Sequence, residues 1–326
     1  MSKTTRLLGA ALGVLALTGT LAACGGDSLE KSKDAGSAPA GGSGEKGSLV
    51  VGAAGFTESN VLAELYAQLL GAAGYGTSVK TVSNRELYEP ALEKGEIDVV
   101  PEYAATLAEF LNAKANGPDA PQKKPVASAD VAATVAGLEK LAAPLGLKVL
   151  PAGAAVDQNA FAVSKEFAAE NKLKTLSDLG AAKLKVKVAA GDECAVRPFC
   201  AVGLKEKYGI DVSGIDPKGV GTPQAKQAVK DGVDQLVLTT TTDATLEAFG
   251  LVLLEDDKKL QNADNVLPVV NAKDAGSAEI AAALAKLTKV LSTADLAELN
   301  RKVDGERAKP GDVAKAYLTE KGLIEK

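Results

Sequence analysis

Residues 49–100 set short apolar strands between amphipathic helices, and that alternation narrows the fold more than any other feature of the chain. Residues 49–52 (LVVG) form a β-branched apolar run of strand length. A loop at 53–59 follows. Then Val61, Leu62, Leu65, Tyr66, Leu69 and Leu70 recur at helical spacing. Thr57 or Ser59 is the expected N-cap, and Gly71 and Gly74 the stop. Residues 79–82 make the next strand. Pro90, expected in a helix's first turn, leads 91–94 to Gly95. Residues 97–100 make a third strand. It delivers Pro101-Glu102-Tyr103 to its carboxyl end, where open α/β sheets bind ligands.

The alternation continues to the end of the chain. Strands are expected at 147–150, 160–163, 184–189, 235–238, 251–254 and 265–270. Helices are expected at 107–111, 131–145, 165–171, 202–208, 225–230, 277–291, 295–303 and 312–321. This argues for an α/β fold with largely parallel sheets. Residues 151–158 look like a crossing to a second lobe, and the strand at 251–254 is placed back in the first. The expected division is therefore lobe 1 at 49–152 and 250–326, and lobe 2 at 153–249. Two lobes joined by two crossings make a clamp that closes on a ligand between the carboxyl ends of both sheets.

The amino-terminal end reads differently. Lys3 and Arg6 precede an apolar stretch at 7–21 that is short for a membrane span. Leu21-Ala22-Ala23-Cys24 closes it and resembles a bacterial lipobox, in which cleavage after residue 23 leaves Cys24 lipidated. Residues 24–48 are rich in Gly, Ser, Ala and Lys and read as a flexible tether. The expected location is the outer face of a membrane, held there by lipid, since two or three acyl chains anchor stably where one does not.

Composition removes several functions. A net charge of −5 argues against nucleic acid as a partner. There is no histidine, which removes Ser-His-Asp and Cys-His catalysis and leaves no reason to expect a zinc site. No cofactor is expected. An acid/base pair such as Glu58 and Asp243 is the catalytic reading left over, and the chain is expected not to be an enzyme. Cys194 and Cys200 are the cysteines that remain after Cys24, and in an exported protein they are expected to pair. So small a ring is worth roughly 2 kcal/mol in the chain-entropy account.

Three strings carry a family resemblance. Gly-Phe-Thr-Glu-Ser at 55–59, Ala-Leu-Glu-Lys-Gly-Glu-Ile-Asp-Val at 91–99 and Pro-Glu-Tyr at 101–103 are similar to the osmoprotectant-binding proteins of ABC importers. Two later strings, at 203–210 and 251–258, continue the likeness, which covers roughly 49–326. It implies a two-lobed type II periplasmic-binding-protein fold. It also implies a monomer that binds glycine betaine, choline or a related quaternary amine and hands it to a permease and its ATPase. The alternatives kept open are a hydrogen-bonding solute that is not quaternary, and a lipoprotein sensor on the same scaffold.

A quaternary ammonium offers no hydrogen-bond donor, so aromatic faces must hold it. A betaine carboxylate needs donors such as helix N–H groups, Arg or Thr. The resemblance places a cage tyrosine at Tyr103 and a ligand-facing threonine at Thr106. Phe56 and Thr57 lie in the first strand–helix loop, where Thr57 is equally a cap. Arg197, in the disulfide loop, reads either as a carboxylate contact or as plain surface. Alternation along Thr239–Thr242 turns about half of them to the cleft, with Thr241 taken as a contact, and Asp243 is a contact or a helix cap. Phe161 reads as core. The chain also departs from the family. The resemblance implies further cage tyrosines where this chain has Asn60, near Asn159, and near Ala201 and Lys226, which would leave only Tyr103 of that cage. The expected lining is then Asn60, Gln158, Asn159 and threonine hydroxyls beside one ring.

Overall fold

The computed structural model describes residues 45–325, so the signal segment, Cys24 and most of the expected tether lie outside the described residues. Strands β1 (Ser48–Ala53), β2 (Gly76–Thr81), β3 (Val99–Tyr103), β4 (Leu147–Val149) and β10 (Val266–Asn271) form one sheet, in the order β2-β1-β3-β10-β4. Strands β5 (Asn159–Ser164), β6 (Lys185–Ala190), β7 (Asp211–Pro217), β8 (Leu236–Thr240) and β9 (Leu251–Leu254) form the other, in the order β7-β6-β8-β5-β9. Helices flank both sheets, giving the expected two-lobed α/β architecture.

The sheets are mixed rather than mostly parallel. β1 runs parallel to β2 and β3, and β6 parallel to β7 and β8, but β10 is antiparallel to β3 and β4, and β5 to β8 and β9. The reason is topological. β5 and β10 are the first strands after each crossing, so each enters its sheet from the cleft end and runs against its neighbours. A second correction follows from the same pairing. Residues 251–254 belong to the second lobe, because β9 is hydrogen-bonded along β5 from Leu251 opposite Ser164 to Leu254 opposite Phe161. The return crossing therefore lies between β9 and β10, after residue 254 and not at 250.

Helix α1 (Thr57–Ala72) buries Val61, Leu62, Leu65, Tyr66, Leu69 and Leu70, the residues whose spacing marked it. It packs on the helices Thr293–Asp304 and Pro310–Glu320. Its N-cap is Phe56, in extended conformation, and no side chain caps it. Thr57 is already helical, and the Ser59 hydroxyl turns back to accept the Ala54 N–H at 2.8 Å. Helix α2 (Arg85–Glu93) starts earlier than expected, after Asn84, so Pro90 falls in its second turn and not its first. Helix α3 (Ala104–Asn116) follows β3 directly. Phe161 is 1% exposed and belongs to the second lobe's core, as its alternation predicted.

Cys194 and Cys200 are joined, with Cα atoms 5.2 Å apart, and both are buried against Leu204 and Leu260 in the second lobe's core. Mass spectrometry of protein isolated under oxidising conditions is expected to find neither thiol free; two alkylatable thiols would overturn the pairing.

Candidate functional site

Five segments meet between the sheets. Beyond the carboxyl end of β1 comes Phe56, and β3 ends in Tyr103. The first crossing supplies Asp157, Gln158 and Asn159. The end of β8 supplies Thr239–Asp243, and the return crossing supplies Gln261–Asp264. Two cavities of about 350 and 360 Å³ lie here, and both are lined by Asp157 and Thr240. The first is walled by Tyr103, Thr106, Gln158, Asn159, Phe199 and Gln261, among others. The second is walled by Phe56, Thr57, Glu58, Thr242, Asp243 and Asn300, among others.

Tyr103 is held from both ends. Its ring lies 6.4 Å from that of Phe56 at an interplanar angle of 28°, and its hydroxyl donates to Glu58 Oε1 at 2.7 Å. The Asn300 amide donates to Glu58 Oε2 at 2.6 Å. Burial, then the neighbouring Asp157 charge, pushes the Glu58 carboxyl up to about 7, against hydrogen bonds that favour its charged form. Burial and the Glu58 charge push the Tyr103 phenol well above its ordinary value. Asp157 accepts from the Thr242 hydroxyl at 2.8 Å, and burial raises it too.

Glu102, the middle residue of Pro-Glu-Tyr, is not a ligand contact. It is 1% exposed and takes Arg85 in two bonds of 2.8 and 2.6 Å, with the Tyr88 hydroxyl at 2.6 Å. The same guanidinium donates to Thr106 Oγ1 at 3.0 Å and so fixes one wall of the first cavity. Opposite, Asp264 accepts the first free N–H groups of α3, from Ala105 at 2.8 Å and Thr106 at 3.0 Å. Burial outweighs those bonds and pushes the Asp264 carboxyl up to about 7.

In the second cavity Lys226 is 4% exposed and spent on Asp243, at 3.1 and 2.8 Å. Burial alone would raise Asp243, but the bonds from Lys226, Thr239 and Thr245 outweigh it and hold the carboxylate below its ordinary range. Lys226 is thus a cation whose charge is already balanced by Asp243.

Of the expected contacts, Phe56, Thr57, Tyr103, Thr106, Gln158, Asn159 and Asp243 line the two cavities. Thr57 donates to Asp304 at 2.5 Å, which leaves its cap reading without support. Three residues are elsewhere. Asn60 turns its amide back to Ala54 O and Phe56 O and accepts from Thr81, so it closes the start of α1. Thr241 bonds the first crossing, donating to Val156 O at 2.7 Å and accepting the Gln158 N–H at 3.1 Å, while its neighbours Thr240 and Thr242 face the cavities. Arg197 is exposed and lines neither cavity; the disulfide loop contributes Phe199 instead. Glu58, Asp157 and Asp264 were missed as lining because nothing local marks a carboxyl as buried.

Residues 47–320 match the family model described as the substrate-binding domain of an ABC-type glycine betaine transport system. A glycine-betaine-binding protein of Pseudomonas aeruginosa is 27% identical over 287 residues, covering 85% of this chain and 89% of that one. A carnitine transport binding protein of Listeria monocytogenes is 26% identical over 175 residues, covering 51% and 54%. Among solved structures, a glycine betaine/carnitine/choline ABC transporter protein superposes with a TM-score of 0.71 at 20% identity, over 84% of this chain and 99% of the other. Ligand-free YehZ of Escherichia coli does so with a TM-score of 0.71 at 24% identity, over 85% and 99%.

Proposed function

Because the chain belongs to the family of substrate-binding domains of ABC-type glycine betaine transport systems, we propose that it captures a small quaternary amine between its lobes and delivers it to a permease. The observation that supports the solute class is the pair of rings 6.4 Å apart, Phe56 after β1 lining the second cavity and Tyr103 at the end of β3 lining the first, set among carboxyl groups. Aromatic faces attract a desolvated trimethylammonium by about 0.5–2 kcal/mol each. The nearby cations, Arg85 and Lys226, are each bound to a carboxylate, so the cleft's field favours positive charge.

Gln158 and Asn159 line the first cavity and suit a polar tail, with Phe199 adding an aromatic face. Contacts from both lobes would favour the closed clamp, and the permease would read that shape. No bond is broken. Cys24 would carry the lipid that keeps the protein on the outer face of the membrane, with the permease and its ATPase as partners. The amide-rich first cavity also supports a second reading, in which the solute is uncharged and held by hydrogen bonds alone.

Calorimetry against choline, glycine betaine, carnitine and an uncharged polyol separates the two. Binding of at least one quaternary amine, with the polyol silent, is the expected result. Binding of the polyol alone would replace the first reading by the second.

A further inference from the structure

Four carboxyl groups line the second cavity, and two of them, Glu58 and Asp157, where the lobes meet, form no salt bridge among the described residues. Glu58 comes from the first turn of α1 in one lobe, and Asp157 from the crossing into the other. Every partner they have is neutral: the Tyr103 hydroxyl, the Asn300 amide and the Thr242 hydroxyl. The other charged groups around them do not help. Lys226 is consumed by Asp243, Arg85 by Glu102, and Asp304 holds Thr57. In the first cavity Asp264 and Glu109 add two more carboxyl groups. Glu58 is buried and Asp157 half-buried, and two acids lining one such cavity do not both ionise cheaply without a positive charge beside them. Glu58 and Asp157 line the same cavity, and the Asp157 charge helps to raise Glu58.

We propose that Glu58 and Asp157 hold one proton between them at the junction of the lobes, and that a cationic solute replaces it, so that capture of the cation releases a proton to solvent. The inference rests on the quaternary-amine reading above and goes beyond it by giving the site a second, exchangeable occupant. The balance is simple: one positive charge enters, one proton leaves, and no covalent bond other than O–H changes.

Burial, then the Asp157 charge, pushes Glu58 up to about 7, which makes the exchange matter at ordinary pH. The competent, fully ionised pair is the minor form on the acid side and the major form on the alkaline side. Apparent affinity scales with the competent fraction, so the cation should bind about tenfold tighter near pH 8 than near pH 6. Above that range affinity levels off, because no proton is left to displace.

The test is calorimetry of choline binding at each pH in buffers of different ionisation enthalpy, which counts the protons released. Wild-type protein is expected to release close to one proton per choline at the acid end and few at the alkaline end. Glu58→Gln should abolish both the release and the tenfold pH dependence. Glutamine keeps an acceptor for the Tyr103 hydroxyl, and the Asn300 Oδ1 atom, unpartnered in the wild type, can take its N–H after the Asn300 amide turns.

A second measurement needs no solute. The side-chain carbon signal of Glu58 should titrate near neutrality in wild type and shift toward the ordinary carboxylate range in Asp157→Asn. Choline binding without proton release would overturn the inference and leave the proposed function standing. Release that survives in Glu58→Gln would also overturn it, by assigning the proton to another group such as Asp264. Failure of every quaternary amine to bind would overturn the function and this inference together.

Discussion

Replacing Arg85 by alanine is expected to destabilise the fold by about 3 kcal/mol, the lower end of the range for removing one partner of a buried ion pair. The carboxylate it serves, Glu102, has no other cation. Its oxygens take two guanidinium bonds, the Tyr88 hydroxyl and the N–H of Tyr103 at 3.1 Å. Truncation at 85 leaves that charge buried with only neutral donors. The Arg85 side chain is 20% exposed, so water can partly replace it, which sets the estimate at the low end. Urea unfolding at neutral pH checks the value. The double variant Arg85→Ala, Glu102→Gln should recover a large part of the loss, because the stranded charge is gone. An unchanged midpoint in Arg85→Ala would show that the pair contributes nothing net. The effect should reach the cleft, since the same guanidinium fixes Thr106 and its partner Glu102 immediately precedes Tyr103.

The sequence made the layer architecture legible because each element carries its own local signal. The apolar stripe of α1, the Gly stops and the β-branched runs of β1, β6 and β10 are properties of a few consecutive residues. Strand direction is not local. β5 and β10 look like any other strand, and only the end of the sheet at which the chain enters makes them antiparallel. β7 was missed because Asp211–Pro217 is half exposed and shows no alternation of apolar side chains. The helix Leu176–Ala181 was missed despite a signal that could have found it. Thr175 and Asp178 form a capping box, the spacing that marks a helix start.

The site divides along the same line. Tyr103 could be placed because it ends a strand, and strand ends at the carboxyl edge face the cleft. In the threonine run, alternation did not hold. Thr239, Thr240 and Thr242 line the second cavity while Thr241 bonds the first crossing, because β8 ends at Thr240 and the strand period does not run on into the turn. Glu58 was visible as a helix-start acid. Its burial depends on Tyr103, Asn300 and Asp157, which come from three distant parts of the chain.

Tyr103→Ala should weaken binding of a quaternary amine by more than tenfold. The residue is 8% exposed, lines the first cavity and lies 6.4 Å, ring to ring, from Phe56, which lines the second. Losing it removes one cation-facing surface, worth about 0.5–2 kcal/mol. It also removes the hydroxyl bonded to Glu58 Oε1, and an unsatisfied buried acceptor costs about 1–3 kcal/mol. Either loss at the middle of its range is close to the 1.4 kcal/mol that makes a factor of ten, and both fall on the same surface. Tyr103→Phe separates the two, since it keeps the ring and removes only the hydroxyl. If the aromatic face dominates, Phe should bind nearly as well as Tyr. If the bond to Glu58 dominates, Phe should fall most of the way to Ala. Calorimetry gives the affinities, and a thermal melt of each free variant shows whether the fold has survived. Equal affinity for wild type, Phe and Ala would remove Tyr103 from the binding surface and with it the aromatic argument for the solute class.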